Sequence, residues 1–197
     1  MKHLFSIFLL TFLWTSLHAA ASESRDKYNF NSGWLLSVGD KSGAEKINYA
    51  DADWKEVTLP YAFNENEAFR LSIEQLWNRK HFRLPANNHQ KKVFIEFEGV
   101  RQGADFYING KYIGFHENGV MAIGFDLTPH IKYGQENVIA IRIDNNWDYK
   151  ERNTDTKYQW NNRNFNANYG GIPKNVWLHV TDKLYQTLPL YSNLKTT

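Results

Sequence analysis

A chain of 197 residues with no cysteine cannot draw on disulfides, thiolate catalysis or thiolate-held metals, so its stability has to come from burial. Its formal charge is +2, and Lys and Arg are scattered without a dense run, which leaves a nucleic-acid or membrane-surface partner without electrostatic support. An aromatic content of 16% suits an all-β protein, and the length suits one domain with a substantial core.

The first element is a targeting segment. Lys2 supplies a positive start, Leu4 to Trp14 is apolar, and Leu17 to Ala21 ends in small residues that a signal peptidase accepts. The apolar run falls short of the roughly 20 residues that span a bilayer. Residues 1–21 are therefore expected to be a cleaved signal peptide, cut between Ala19 and Ser22, with the mature protein exported to the periplasm or beyond.

Tyr28 to Phe30 and Gly33 to Leu36 form a first strand region, and Gly39 to Gly43 a turn that lacks the Gly-Lys-Ser/Thr ending of a phosphate-binding loop. Asp53 to Leu59 is a strand stopped by Pro60. From Tyr61 to Gln75 the pattern loosens into a long connection, of the kind that often carries function. Asn78 to Leu84 is a strand closed by Pro85, and Ala86 to Gln90 a polar turn. Lys92 to Val100 alternates cleanly, placing Val93, Ile95 and Phe97 inward and Glu96 and Glu98 on a solvated face, so these two carboxylates are not read as a glycosidase pair.

The clearest unit is Gly99 to Gly119. Ala104, Phe106 and Ile108 alternate with Asp105 and Tyr107, and Asn109-Gly110 supplies the two positive φ angles of a type I′ turn before a return strand from Lys111 to His116. Thr128 is placed to cap a short helical turn with Pro129 first, broken by Gly134. Asn137 to Asp144 and Val176 to Val180 complete about eight short strands, with no ordinary helix, which predicts an antiparallel jelly-roll-like β-sandwich.

Between the last two strands, Asn145 to Gly171 is rich in Asn and aromatic residues. Trp147, Tyr149, Tyr158, Trp160, Phe165 and Tyr169 offer stacking faces, and the amides offer donor and acceptor pairs for sugar hydroxyls; about half of these rings are expected simply to pack. The histidines His81, His89, His116, His130 and His179 are isolated, so no zinc site is expected. Asp144, Asn145, Asn146 and Asp148 carry ligand oxygens, but they lack the spacing of a dedicated calcium loop and read as a surface turn. No cofactor is expected.

At Gly170 to Leu178 the chain resembles the N-terminal sugar-binding, galactose-binding-domain-like unit of glycoside hydrolase family 2, the β-galactosidase, β-glucuronidase and β-mannosidase group. The matching residues stand in order: Phe30 to Trp34, Leu59-Pro60, Asn78 to Phe82, Phe97 to Val100, Tyr107 to Lys111 with Gly114, Phe125 to Thr128, Gly134 to Asn137, Asp144-Asn145 and Gly170 to Leu178. The chain departs from the pattern at Asn78, where an aromatic is usual, and at Pro173-Lys174-Asn175, where a basic-acidic pair is usual. The resemblance implies a sugar-binding domain over residues 22–186, a linker beginning at 187–197, and catalytic carboxylates in a downstream barrel. No catalytic residue is then expected on this chain, whose partners would be a β-glycoside and the downstream domains of a β-galactosidase-like enzyme. A free-standing lectin-like module is the alternative.

The resemblance also implies where the sugar is held, by two loops, Tyr61 to Glu67 and Trp160 to Tyr169. Asn64 matches the polar residue of the first. In the second, Asn164 stands where many relatives carry Asp, with Trp160 and Arg163 as stacking and donor neighbours. Export is checked by intact mass of the protein secreted from a suitable host: about 19 to 21 residues should be missing, and retention of Met1 would contradict the signal reading.

Overall fold

The computed structural model describes residues 25–63, 75–117, 119–146, 148–157 and 169–185. Among the described residues twelve strands run in the order β1 (Asp26–Asn29), β2 (Trp34–Val38), β3 (Lys55–Val57), β4 (Tyr61–Ala62), β5 (Gln75–Arg83) and β6 (Lys92–Phe97), then β7 (Gly103–Ile108), β8 (Lys111–His116), β9 (Ile123–Asp126), β10 (Glu136–Asp144), β11 (Gly171–Ile172) and β12 (Val176–Thr181). They assemble as a four-stranded sheet, β1-β12-β6-β9, a six-stranded sheet, β3-β2-β5-β10-β7-β8, and a β4-β11 ribbon. Every pairing is antiparallel, so the expected all-β sandwich is what forms.

Period-two alternation sends Trp34, Leu76, Phe106, Ile139 and Ile141 of the larger sheet against Ile95, Phe97, Phe125, Leu178 and Val180 of the smaller one. Rings stitch the layers: Trp34 meets Phe97 at 6.3 Å, Phe97 meets Phe106 at 5.1 Å and Phe106 meets Phe125 at 4.6 Å. The hairpin forms as its turn residues require, with Asn109 at φ 51° and Gly110 at φ 79°. Asn109 does more than turn. Its Oδ1 accepts from Val138 N at 2.9 Å and its Nδ2 donates to His130 O and Asn137 Oδ1 at 2.8 Å each, tying the hairpin to β10.

Several sequence expectations are corrected. The first strand region is two strands in different sheets, with the chain crossing between layers at Phe30 to Gly33. The polar turn at Ala86–Gln90 is a 3-10 helix. Thr128 does not cap: Asp126 Oδ1 accepts from Thr128 N at 2.8 Å, while the Thr128 hydroxyl accepts from Val93 N at 2.9 Å. Glu96 is not solvated. It is 5% exposed and its Oε2 meets the buried His179 Nε2 at 2.8 Å. Glu98 accepts from Trp177 Nε1 at 2.8 Å and from Asn175 Nδ2 at 2.9 Å. Asn175, in the segment that departs from the family pattern, thus links Glu98 to Asn31, whose Nδ2 donates to Asn175 Oδ1 at 2.9 Å.

The centre of the larger sheet buries two adjacent cations on opposite faces. On the outer face Arg79 lies under residues 39–54, donating from Nε to Asp51 Oδ2 at 2.6 Å and from Nη1 to the carbonyls of Ala44 and Lys46. On the inner face Lys80 Nζ donates to the carbonyls of Phe30 and Ser32 and lies 4.1 Å from the Phe30 ring centre. Desolvation lowers the Lys80 pKa to about 8. Below that value folded and unfolded chains both hold the proton; between it and 10.5 the unfolded chain binds more protons, so this residue makes stability rise with pH across that window. In urea unfolding across the window, Lys80→Met should lack this rise, and a wild-type curve parallel to that of the variant would contradict it.

Candidate functional site

The two segments expected to hold sugar share one anchor. Tyr61 and Ala62 pair with Ile172 and Gly171, and Phe63 N donates to Gly170 O at 3.0 Å. The first loop therefore starts, and the second ends, at neighbouring points of one ribbon. Asn64, Trp160, Arg163 and Asn164 themselves lie outside the described residues, as do Trp147, Tyr158 and Phe165. Of the remaining rings in the aromatic segment, Tyr149 packs, 9% exposed, and Tyr169 is half exposed.

The ribbon is locked from below by the turn after Gly99. Arg101 N donates to Gly171 O at 2.9 Å and Gly171 N to Arg101 O at 3.0 Å, across a cis Arg101-Gln102 peptide. Gly170 has no room for a side chain, since a Cβ there would lie 2.2 Å from the Phe63 ring and 2.4 Å from Asn145 Nδ2. Asn145, which follows Asp144, and Gln102, which precedes its paired residue Gly103, are both buried, and among the described residues their side-chain amides have no hydrogen-bond partner. The four-residue oxygen cluster is dispersed in its contacts. Asp144 Oδ1 accepts from Asn146 N at 3.0 Å, and Asp148 pairs with Lys157 at 2.7 Å.

A second layer of polar contacts stiffens the same end of the sandwich. The Tyr149 hydroxyl donates to Glu117 Oε1 at 2.6 Å, and burial followed by that bond raises its pKa. Its ring occupies the space that a side chain at Gly103 would need, 2.3 Å from a Cβ there. Arg152 donates to both Asp105 oxygens at 2.8 and 2.7 Å, and its guanidinium lies 4.8 Å from the Phe115 ring centre. The Asp105 hydrogen bond, acting against burial, raises the Arg152 pKa.

Beside the ribbon is a cleft of about 320 Å³, open on one side, that sequence reading did not find. It is lined by Leu36, Ser37 and Val38 of β2 and by Lys41, Tyr49, Ala50, Asp53, Trp54, Lys55, Tyr61 and Phe63. The loop that Arg79 pins supplies Tyr49, Asp53 and Trp54, whose grouping depends on a fold-back that no periodicity announces. Lys55 Nζ donates to the Tyr61 hydroxyl at 2.9 Å.

The sequence of residues 53–178 matches the family model described as the glycosyl hydrolase 2 galactose-binding domain-like family. Over 188 residues the chain is 43% identical to a β-glucuronidase of Formosa agariphila, covering 89% of this chain and 19% of the relative. It is 34% identical over 164 residues to a β-galactosidase of Thermoanaerobacter pseudethanolicus, covering 79% and 21%. Among solved structures, a glycoside hydrolase family 2 β-glucuronidase superimposes with a TM-score of 0.77 at 40% identity, over 89% of this chain and 20% of that one. The chain thus spans about a fifth of the length of these relatives. With a family model matching over half its length on an antiparallel sandwich, the chain belongs to the galactose-binding-like domain family of glycoside hydrolase family 2.

Proposed function

We propose that this chain is the sugar-holding domain of an exported β-glycosidase, and that its substrate is a β-glucuronoside. The observation that carries the reading is the Phe63–Gly170 hydrogen bond, which roots both expected sugar loops on one ribbon. The preference for a glucuronoside rests on the 43% and 40% identical relatives, both β-glucuronidases. A β-galactoside, the expectation from sequence, is the second reading and is supported by the 34% identical β-galactosidase. Retaining hydrolysis by two carboxylates would belong to the part of the relatives' length that this chain does not span. The two glutamates of the β6 stretch support that division, since Glu96 is locked to His179 and Glu98 to Trp177 and Asn175.

In an enzyme carrying this domain, Asn64→Ala or Asn164→Ala should lower kcat/KM by roughly 5- to 150-fold, the loss of about 1 to 3 kcal/mol when one hydrogen bond to a buried polar partner goes. Melting should change little, because these are loop side chains. Unchanged kcat/KM in both variants would remove the loops from the substrate site. Nitrophenyl β-glucuronoside and β-galactoside, compared by kcat/KM, decide between the two sugars, and the chain by itself should turn over neither.

The ribbon makes a separate demand. Gly170→Ala would force a methyl into the Phe63 ring and the Asn145 amide, at a cost of about 1 to 3 kcal/mol typical of overpacking. Thermal unfolding should show a lowered Tm for this variant. A Tm equal to that of wild type would mean that the close packing under the ribbon yields freely.

A further inference from the structure

We infer that the cleft lined by Tyr49, Trp54 and Tyr61 together with Lys41 and Lys55 is a binding site for an acidic sugar residue. This site is separate from the two sugar loops. The inference rests on the proposed function for the ligand's being a carbohydrate, but not on any catalytic step.

The volume of about 320 Å³ lies at the small end of ligand pockets and gives room for one or two sugar rings. Its walls have the mixed character that sugars need. Tyr49 and Tyr61 are half-buried, so each keeps ring surface available for the C–H face of a pyranose, while Trp54 meets Tyr49 edge-on at 5.6 Å and backs it. Ser37 can donate to and accept from hydroxyls, and the Asp53 carboxylate accepts from them.

The cations select the sugar's charge. Lys41 and Lys55 both line the cleft, and among the described residues neither has a carboxylate within ion-pair distance. Lys55 is oriented instead by the Tyr61 hydroxyl at 2.9 Å, and its ammonium lies 5.0 Å from the Tyr61 ring centre. Two ammonium groups against the one carboxylate of Asp53 leave the cleft with net positive charge. A ring bearing a carboxylate or a sulfate ester supplies the missing anion through charge-assisted hydrogen bonds.

The walls are prebuilt. Trp54 N donates to Asp51 O at 3.0 Å, and Asp51 is itself held by Arg79 at 2.6 Å and by His81 at 2.8 Å. The Arg79 guanidinium lies 5.5 Å and 6.0 Å beneath the Tyr49 and Trp54 rings. The stacking surface is therefore fixed before ligand arrives, which reduces the ordering cost of binding.

The test is titration calorimetry on the full chain with three disaccharides that differ only in one ring: a glucuronate, a neutral glucose and a sulfated glucose. The acidic probes should bind about tenfold or more tightly than the neutral one, and their relative affinities identify carboxylate or sulfate ester as the preferred anion. Lys41→Met with Lys55→Met should erase the difference, and Lys41→Arg with Lys55→Arg should keep most of it. Both lysines are at the surface, so circular dichroism should show all variants folded. Equal binding of acidic and neutral probes, acidic preference that survives the methionine pair, or no binding of any probe would overturn the inference. So would acidic binding lost in Asn64→Ala but kept in the methionine pair, since that places the sugar on the loops. Failure of the proposed function reads differently, as unchanged kcat/KM in the loop variants.

Discussion

The constraint on which most of this structure depends is the placement of Arg79 and Lys80 side by side in β5. Successive strand residues point to opposite faces, so in a strand covered on both sides each of two neighbouring cations must be buried in a different layer. A buried charge is tolerated only with its hydrogen bonds satisfied. Lys80 meets that demand with the carbonyls of Phe30 and Ser32, which fixes where the chain crosses from β1 in one sheet to β2 in the other. Arg79 meets most of it through Nε and Nη1, with Asp51 and the carbonyls of Ala44 and Lys46, while its buried Nη2 has no hydrogen-bond partner among the described residues; these contacts fix the long excursion between β2 and β3 against the outer face. Burial raises the Asp51 carboxyl, but its bonds to His81 and Arg79 outweigh that and hold it below its ordinary value. The clamp is consequently charged at neutral pH, and its cost is offset by the apolar cluster of Ala44, Trp54, Trp77 and Ala140 around it.

How much of this was legible depends on what local pattern can encode. The Asn109-Gly110 hairpin was legible because both positive φ angles are a property of two adjacent residues. The inward sets of β6, β7 and β10 were legible because alternation reports a face directly. Alternation does not report what covers the other face, which is why Glu96 reads as solvated and is instead buried against His179, from a strand 83 positions away. The Thr128 cap failed for a related reason: the hydroxyl had a long-range partner in Val93 that displaced the local one.

The candidate site divides along the same line. Asn64, Trp160, Arg163 and Asn164 came from a family resemblance, and local chemistry alone would have marked only an Asn- and aromatic-rich segment. What the fold adds is their common root at Phe63 and Gly170. The cleft was not legible at all, because its lining comes from four separate stretches: β2, the excursion after it, the β3 start and β4 with Phe63. A clue existed in the excursion itself, where Tyr49 and Trp54 follow a glycine-bounded turn, but the Arg79 clamp that folds them back is set by β5.

The short strand β4 is where these features meet. Tyr61 and Phe63 both line the cleft, Ala62 pairs with Gly171, and all three belong to the first of the two loops proposed to hold sugar. Three consecutive residues therefore belong to the cleft wall, the ribbon and the loop anchor together. A two-residue strand has too few ladder bonds to hold its register unaided, so its position has to be set from outside. It is set from one side by Gly171, bonded both ways to Arg101, and from the other by Tyr61, whose hydroxyl accepts from Lys55 next door on β3. Because the wall and the anchor share this backbone, a shift that opens the cleft by moving Tyr61 also moves the origin of the loop. Ligand in the cleft and substrate on the loops would then be coupled through β4 to the extent that either favours one position of it, and by the same amount in both directions.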